Sequence, residues 1–210
     1  MKKIIKQKKL LLDTLMKETI INGAIKLIRE KGIKTLTMDN IANEVKIAKG
    51  TIYLYFKNRE DLIKAIIQKI KEPFVIQFDK IKNSNLSIQK KIEKILTFAL
   101  SDIEKNLMFV RIIMQYVEAS PSLKRFLFND WQRLIEFFAE LFKDAIKKGE
   151  IKMKNPEYVS KLITACMNYM IYERGMGYIK CLPVKKEVEL FMNVFNLGYE
   201  KIKEDKTIEK

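Results

Sequence analysis

The chain has 210 residues, 48% of them apolar and 32% charged, the balance of a soluble globular protein with a substantial core rather than a disordered tail. Lys and Arg number 41 against 26 Asp and Glu, a net charge of +15. Such a field favours polyanions, nucleic acid first and an anionic membrane surface second. Histidine is absent and only Cys166 and Cys181 carry thiols, which excludes Ser-His triads, His-ligated zinc and a cysteine-only zinc site.

Seven glycines and four prolines suit a mostly helical chain rather than a turn-rich β fold. Charge-free runs such as Leu162–Tyr172 reach only about half of the roughly 20 residues that a transmembrane helix needs. Lys6, Lys8 and Lys9 interrupt any leader-like apolar stretch. The expectation is therefore a cytoplasmic protein with reduced thiols, no membrane partner and no cofactor. Charge is concentrated at the front: residues 1–70 hold 16 Lys/Arg against 7 Asp/Glu, and residues 71–210 hold 25 against 19.

Lys2–Lys9 either follows a DNA minor groove as a basic arm or is a frayed, solvated terminus, and the second is the expectation. Ile20, Ile21, Ala24, Ile25, Leu27 and Ile28 then form an apolar helical stripe, which Gly32 stops. Thr37 is placed to cap a short helix Met38–Val45, with Met38, Ile41, Ala42 and Val45 on one face. Residues 46–48 break it, and a second short helix runs over about Lys49–Phe56. Asn58 caps a long helix whose first turn carries Glu60 and Asp61, where the helix dipole favours acids. Beyond Pro73 the periodicity predicts helices over about 87–104, 106–118, 122–148, 156–176 and 186–204.

Two short helices joined by a tight turn in a basic segment suggest a helix-turn-helix, whose second helix enters the major groove. Lys49 suits a base acceptor or phosphate, and Thr51 offers a hydroxyl and a methyl to base edges. Gly50 allows close approach, Tyr53 and Tyr55 are long rigid arms, and Lys57 and Arg59 open the next helix, where free N–H groups attract phosphate. Ile52 and Phe56 would face inward. These lysines also fit an ordinary solvated face, and Tyr53 also fits a core.

Ile33–Ala42 followed by Lys49–Leu62, reading IKTLTMDNIA and KGTIYLYFKNREDL, resembles the TetR/AcrR family of bacterial transcriptional regulators over about residues 15–65. By position the resemblance implies that Thr37, Lys49, Gly50, Thr51, Tyr53, Leu54, Tyr55 and Lys57 lie at the DNA. Three departures stand out. Lys46 occupies a turn position that is usually glycine. Ala48 stands where a capping serine is common, which costs roughly 1 kcal/mol. Leu54 replaces a frequent histidine and could meet a thymine methyl.

The resemblance also implies a helical body that dimerises and often holds a small molecule. The expected fold is all-α, with about nine helices: a three-helix, helix-turn-helix head over 1–65 (motif about 37–56) and a ligand-binding and dimerisation body over 66–210. Composition does not separate pocket from core among its large side chains; Phe98, Met114, Tyr116, Trp131, Phe138 and Tyr169 are the ligand candidates. Apolar stripes at 3–4 spacing, with Leu162, Cys166 and Met170 on one helix and Phe191, Phe195 and Tyr199 on the next, are the candidates for a dimeric four-helix interface. The expected function is a homodimeric, operator-binding regulator of double-stranded DNA, a repressor released by a hydrophobic or amphipathic effector. The alternatives are a ligand-independent or nonspecific DNA-binding protein, a helical enzyme, or a membrane-surface protein whose basic amphipathic helix would be Lys2–Lys31, which would leave the helix-turn-helix unexplained.

Overall fold

A computed structural model describes residues 2–177 and 180–196. Among these the chain forms nine α-helices and one 3-10 turn: α1 (Lys2–Lys31), the turn Ile33–Thr35, α2 (Met38–Val45), α3 (Lys49–Tyr55), α4 (Arg59–Lys82), α5 (Ile88–Lys105), α6 (Leu107–Glu118), α7 (Pro121–Lys147), α8 (Pro156–Met176) and α9 (Val184–Asn196). The chain is all-α, and the predicted helices lie close to these spans. The expected continuation of the last helix to residue 204 falls outside the described residues. At the other end α1 is helical from Lys2, where a frayed terminus was expected.

The chain divides into two compact units, the first comprising the residues up to Glu72 with Gln115–Leu123, the second Pro73–Met114 with the chain from Lys124. The division falls within α4 rather than after residue 65. Two facts explain this. Ile66 and Ile67 are buried and complete the core of the first unit, and α4 continues through Pro73 despite the missing backbone donor. Residues 120–123 are tied to the same unit by side chains: Lys64 Nζ donates to Ser122 Oγ at 3.0 Å, and the Ser120 hydroxyl donates to Glu60 Oε2 at 3.2 Å.

The first unit is built on Ile20, Ala24, Leu27 and Ile28 of α1, Met38, Ile41 and Ala42 of α2, Ile52 of α3, and Leu62, Ile63 and Ile66 of α4, all buried. Gly23 lets α1 and α2 meet closely. A Cβ added there would stand 2.3 Å from Val45 Cγ1.

The second unit packs around Ile92, Ile95, Leu96, Leu100, Phe138, Phe142, Ile163 and Met167. Aromatic rings fill one side of this core edge to face, with Phe74 and Phe98 at 5.4 Å and Phe137 and Phe138 at 5.6 Å between centroids. Buried Arg174 joins three segments: its guanidinium donates to Glu104 Oε1 at 2.9 Å, to the Leu182 carbonyl at 2.6 Å and to Glu187. Among the described residues no helix is long and apolar enough to cross a membrane.

Gly23→Ala tests the α1–α2 approach. Alanine gains about 1 kcal/mol of helix propensity over glycine, but Val45 is β-branched and stiff, and overpacking costs about 1–3 kcal/mol. The clash wins, so urea denaturation should show a destabilised first unit.

Candidate nucleic-acid interface

The geometry of this region follows from its caps. Thr37 is extended, and its hydroxyl oxygen accepts from the Asn40 N–H at 3.1 Å, opening α2 as the sequence predicts. Asn58 Oδ1 accepts from the Asp61 N–H at 2.9 Å at the start of α4. Between them α2 ends at Lys46, whose backbone is left-handed at φ 56° and ψ 46°. The glycine usual at this position is explained by that angle, since a left-handed residue with a side chain costs roughly 1–2 kcal/mol. Ala48 is the residue before α3, and no side chain caps that helix.

α3 buries Ile52 completely and Phe56 follows it as the buried C-cap, the two inward anchors predicted. The remaining residues divide. Lys49, Gly50, Tyr53, Leu54, Lys57 and Thr37 are exposed, Leu54 at 80%, and Thr51 is half-buried. Gly50 stands in open space: a Cβ there would meet nothing within 4 Å. The fold itself therefore does not require glycine at this position.

Two members of the set have partners inside the unit. The Tyr55 hydroxyl donates to Asp13 Oδ1 of α1 at 3.3 Å, and burial, with the Asp13 charge second, pushes its pKa up. Arg59, expected at the phosphates, turns to the interior. Its Nη2 donates to the Ile33 carbonyl at 2.8 Å and its guanidinium lies 4.7 Å from the centre of the Tyr116 ring. It thus fastens the 3-10 turn and the 115–123 segment, a role that its position beside two lysines does not reveal. Lys49 also has a partner, Asp39, whose Oδ1 is 2.7 Å away, and this hydrogen-bonded carboxylate raises the lysine's pKa. That pair is open to solvent. Asp13 and Asp39 are the residues that sequence reasoning missed; the only signal was an acid on each neighbouring helix.

The candidate ligand residues are dispersed. Tyr116 belongs to the first unit and lies under Arg59. In the second unit Phe138 is fully buried and Phe98 packs into the aromatic cluster. Met114 is half-buried, while Trp131 and Tyr169 are 44% and 60% exposed, the latter hydrogen-bonded to Glu173. Two hollows of about 320 and 360 Å³ occur, one beside Thr35 and Asn40, the other beside Lys82 and Glu140. None of the six candidates lines either.

Of the dimer candidates, Leu162 and Cys166 are exposed on α8, in line with exposed Tyr158 and Tyr169. Met170 is half-buried against the core. Phe191 and Phe195 stack on each other at 4.4 Å and belong to that core, so they do not offer an outer face. The bare apolar residues of α9 are Leu190 and Val194, 44% and 68% exposed. Tyr199 lies outside the described residues.

Restoring the usual residues tests the backbone reading. Ala48→Ser supplies a cap worth about 1 kcal/mol. Lys46→Gly removes left-handed strain while adding unfolded-state entropy, for a net gain of roughly 0.5–1 kcal/mol. Each variant should raise the denaturation midpoint of the first unit, and a lower midpoint for Lys46→Gly would contradict the observed angle.

Comparison with known proteins places this arrangement. The family described as bacterial regulatory proteins, tetR family, matches residues 20–66, the span from the α1 stripe to the buried start of α4. An HTH-type transcriptional regulator of Staphylococcus aureus (strain USA300) is 29% identical over 159 residues, covering 73% of this chain and 81% of that protein. An HTH-type transcriptional regulator of Bacillus subtilis (strain 168) is 24% identical, covering 75% and 83%. The solved structure of a transcriptional regulator of the TetR/AcrR family from Thermobifida fusca aligns with a TM-score of 0.66 at 23% identity, covering 89% of this chain and 99% of that one. Residues 20–66 thus match the tetR family of bacterial regulatory proteins, and the chain as a whole is similar to HTH-type transcriptional regulators and shares the fold of TetR/AcrR-family structures.

Proposed function

We propose that the protein is a homodimeric repressor that reads a palindromic operator with α3 and leaves it when a small molecule binds the second unit. The observation that carries the DNA-reading half is Gly50. A glycine in a helix costs about 0.5–1 kcal/mol relative to alanine, and no neighbour in the fold calls for one. Close approach of a DNA backbone supplies the reason. Around it Lys49, Thr51, Tyr53 and Leu54 face base edges, Leu54 suited to a thymine methyl, while Thr37 and Lys57 meet phosphate. Tyr55 acts from its bond to Asp13, and Arg59 supports the head from within.

Dimerisation is supported by the two bare stripes, Tyr158, Leu162, Cys166 and Tyr169 on α8 and Leu190 and Val194 on α9. A twofold axis through such faces makes a four-helix interface, and two linked heads then bind neighbouring half-sites. The effector reading rests on the family. A hydrophobic ligand among Phe74, Phe98, Phe137 and Phe138 would have to part rings whose edge-to-face pairs are worth about 0.5–1.5 kcal/mol each. It would release DNA only by binding the non-reading form better than the reading one.

Gly50→Ala separates fold from function, because its two effects have opposite signs. The head should gain roughly 0.5–1 kcal/mol of stability, while operator binding weakens by about 1–3 kcal/mol. Fluorescence anisotropy on the DNA upstream of the protein's own coding region, with competitor at fixed salt, reads the second effect. Unchanged operator affinity in this variant would remove α3 from the DNA.

A further inference from the structure

We propose that the N-terminal half of α1 is a docking surface for an anionic lipid bilayer, lying along it with Ile4, Ile5, Leu11, Leu12 and Leu15 towards the acyl chains. α1 is one continuous helix from Lys2 to Lys31, yet it carries two apolar stripes on different sides. With about 100° between successive residues, Ile20, Ala24, Leu27 and Ile28 share one side, buried in the head. Ile4, Ile5, Leu11, Leu12 and Leu15 cluster on nearly the opposite side. The helix cannot turn both stripes to the same core, and the first is bare: Ile4 is 69% exposed, Leu11 59% and Leu15 50%.

Charge selects the occupant. Lys3, Lys6 and Lys9 lie on the side away from the stripe, and Lys8 lies within it, against the single acid Asp13. Asp13 is itself engaged by the Tyr55 hydroxyl. An apolar stripe on one side and a lysine-rich face on the other is the pattern of a helix that lies in the plane of a membrane interface. Lys8 can lay its aliphatic stem along lipid while its ammonium reaches the headgroups. The other lysines stay within a helix diameter of the surface, about 10 Å, which is about one Debye length at physiological salt. A second copy of α1 packed stripe to stripe would bury Lys8 in the seam with no acid on that face to pair it, which is costly. DNA would take the lysines but leave five apolar side chains in water. The helix-turn-helix uses the second half of α1 together with Asp13, and the apolar stripe of the first half lies outside that packing.

The test is vesicle flotation of the full chain with phosphatidylcholine alone and with equal parts phosphatidylglycerol. Wild type should partition at least about tenfold more strongly onto the anionic vesicles. The variant Leu11→Gln/Leu12→Gln/Leu15→Gln keeps every charge and should lose about tenfold of that partition, with operator affinity and melting temperature unchanged. A second variant, Lys3→Gln/Lys6→Gln/Lys9→Gln, should lose anionic preference while its apolar stripe is intact. Wild type that stays off anionic vesicles overturns the proposal, as does a leucine variant that floats like wild type, because attachment is then by charge alone. A leucine variant that loses operator binding while floating normally assigns the stripe to DNA. One that changes only the mass in light scattering assigns it to a second copy. Because operator binding is measured on the same samples, failure of lipid docking leaves the DNA-reading assignment standing.

Discussion

α3 has seven residues, well short of the roughly 12–15 that an isolated helix needs to persist in water. It exists because Ile52 is fully buried and Phe56 closes it from below. That anchoring fixes the helix's rotation, and rotation decides everything on its outer side. With Ile52 inward, Tyr53 and Leu54 stand bare and Thr51 sits at the edge. The floor beneath is made by α2 and by the second half of α1, which Gly23 allows to touch. Each side chain offered to DNA is thus placed by a burial elsewhere, and core changes far from the surface would move the reading residues with it.

Acids on neighbouring helices hold the polar side chains of this region before any DNA arrives. Asp39 binds Lys49 and Asp13 accepts from Tyr55, but the two contacts differ in consequence. The Lys49–Asp39 pair is exposed on both sides and screened by salt, so a phosphate can replace the aspartate with little loss. Tyr55 is half-buried, and its hydroxyl would have to be desolvated again to change partner. A rotating lysine and a fixed tyrosine are therefore presented side by side. Arg59 goes further and spends its charge on the Ile33 carbonyl and the Tyr116 ring, leaving its Nε buried without a partner. Such an arginine stabilises the head rather than contacting its surroundings.

The helices, the Thr37 and Asn58 caps, and the inward pair Ile52 and Phe56 were legible because each depends on local chemistry: a capping oxygen, or apolar residues four apart. What depended on rotation among equally apolar choices was not legible. On α9 both Leu190/Val194 and Phe191/Phe195 are apolar pairs at helical spacing, and only packing shows that the phenylalanines face the core. The same holds for Phe138, whose ring fits a pocket wall or a core equally well by type. Arg59 was misread for another reason. Its partners lie 26 and 57 residues away in the chain, and no local pattern reports them.

The division within α1 shows how a pattern can be present and still be hidden. Averaged along all 30 residues, stripes on nearly opposite sides cancel, and the helix reads as having no preferred face. Split near Met16, each half is amphipathic by itself. The second half answers to the core of the head, which fixes how the whole helix is rotated. That rotation then directs Asp13 to Tyr55 and leaves Ile4, Leu11 and Leu15 turned from the head. The orientation of the first half is thus not its own choice but a consequence of burying Ile20 and Ala24. Five aliphatic side chains held in water by that constraint cost free energy that the fold does not recover internally. A surface outside this chain, such as the proposed bilayer, would recover that cost by covering them.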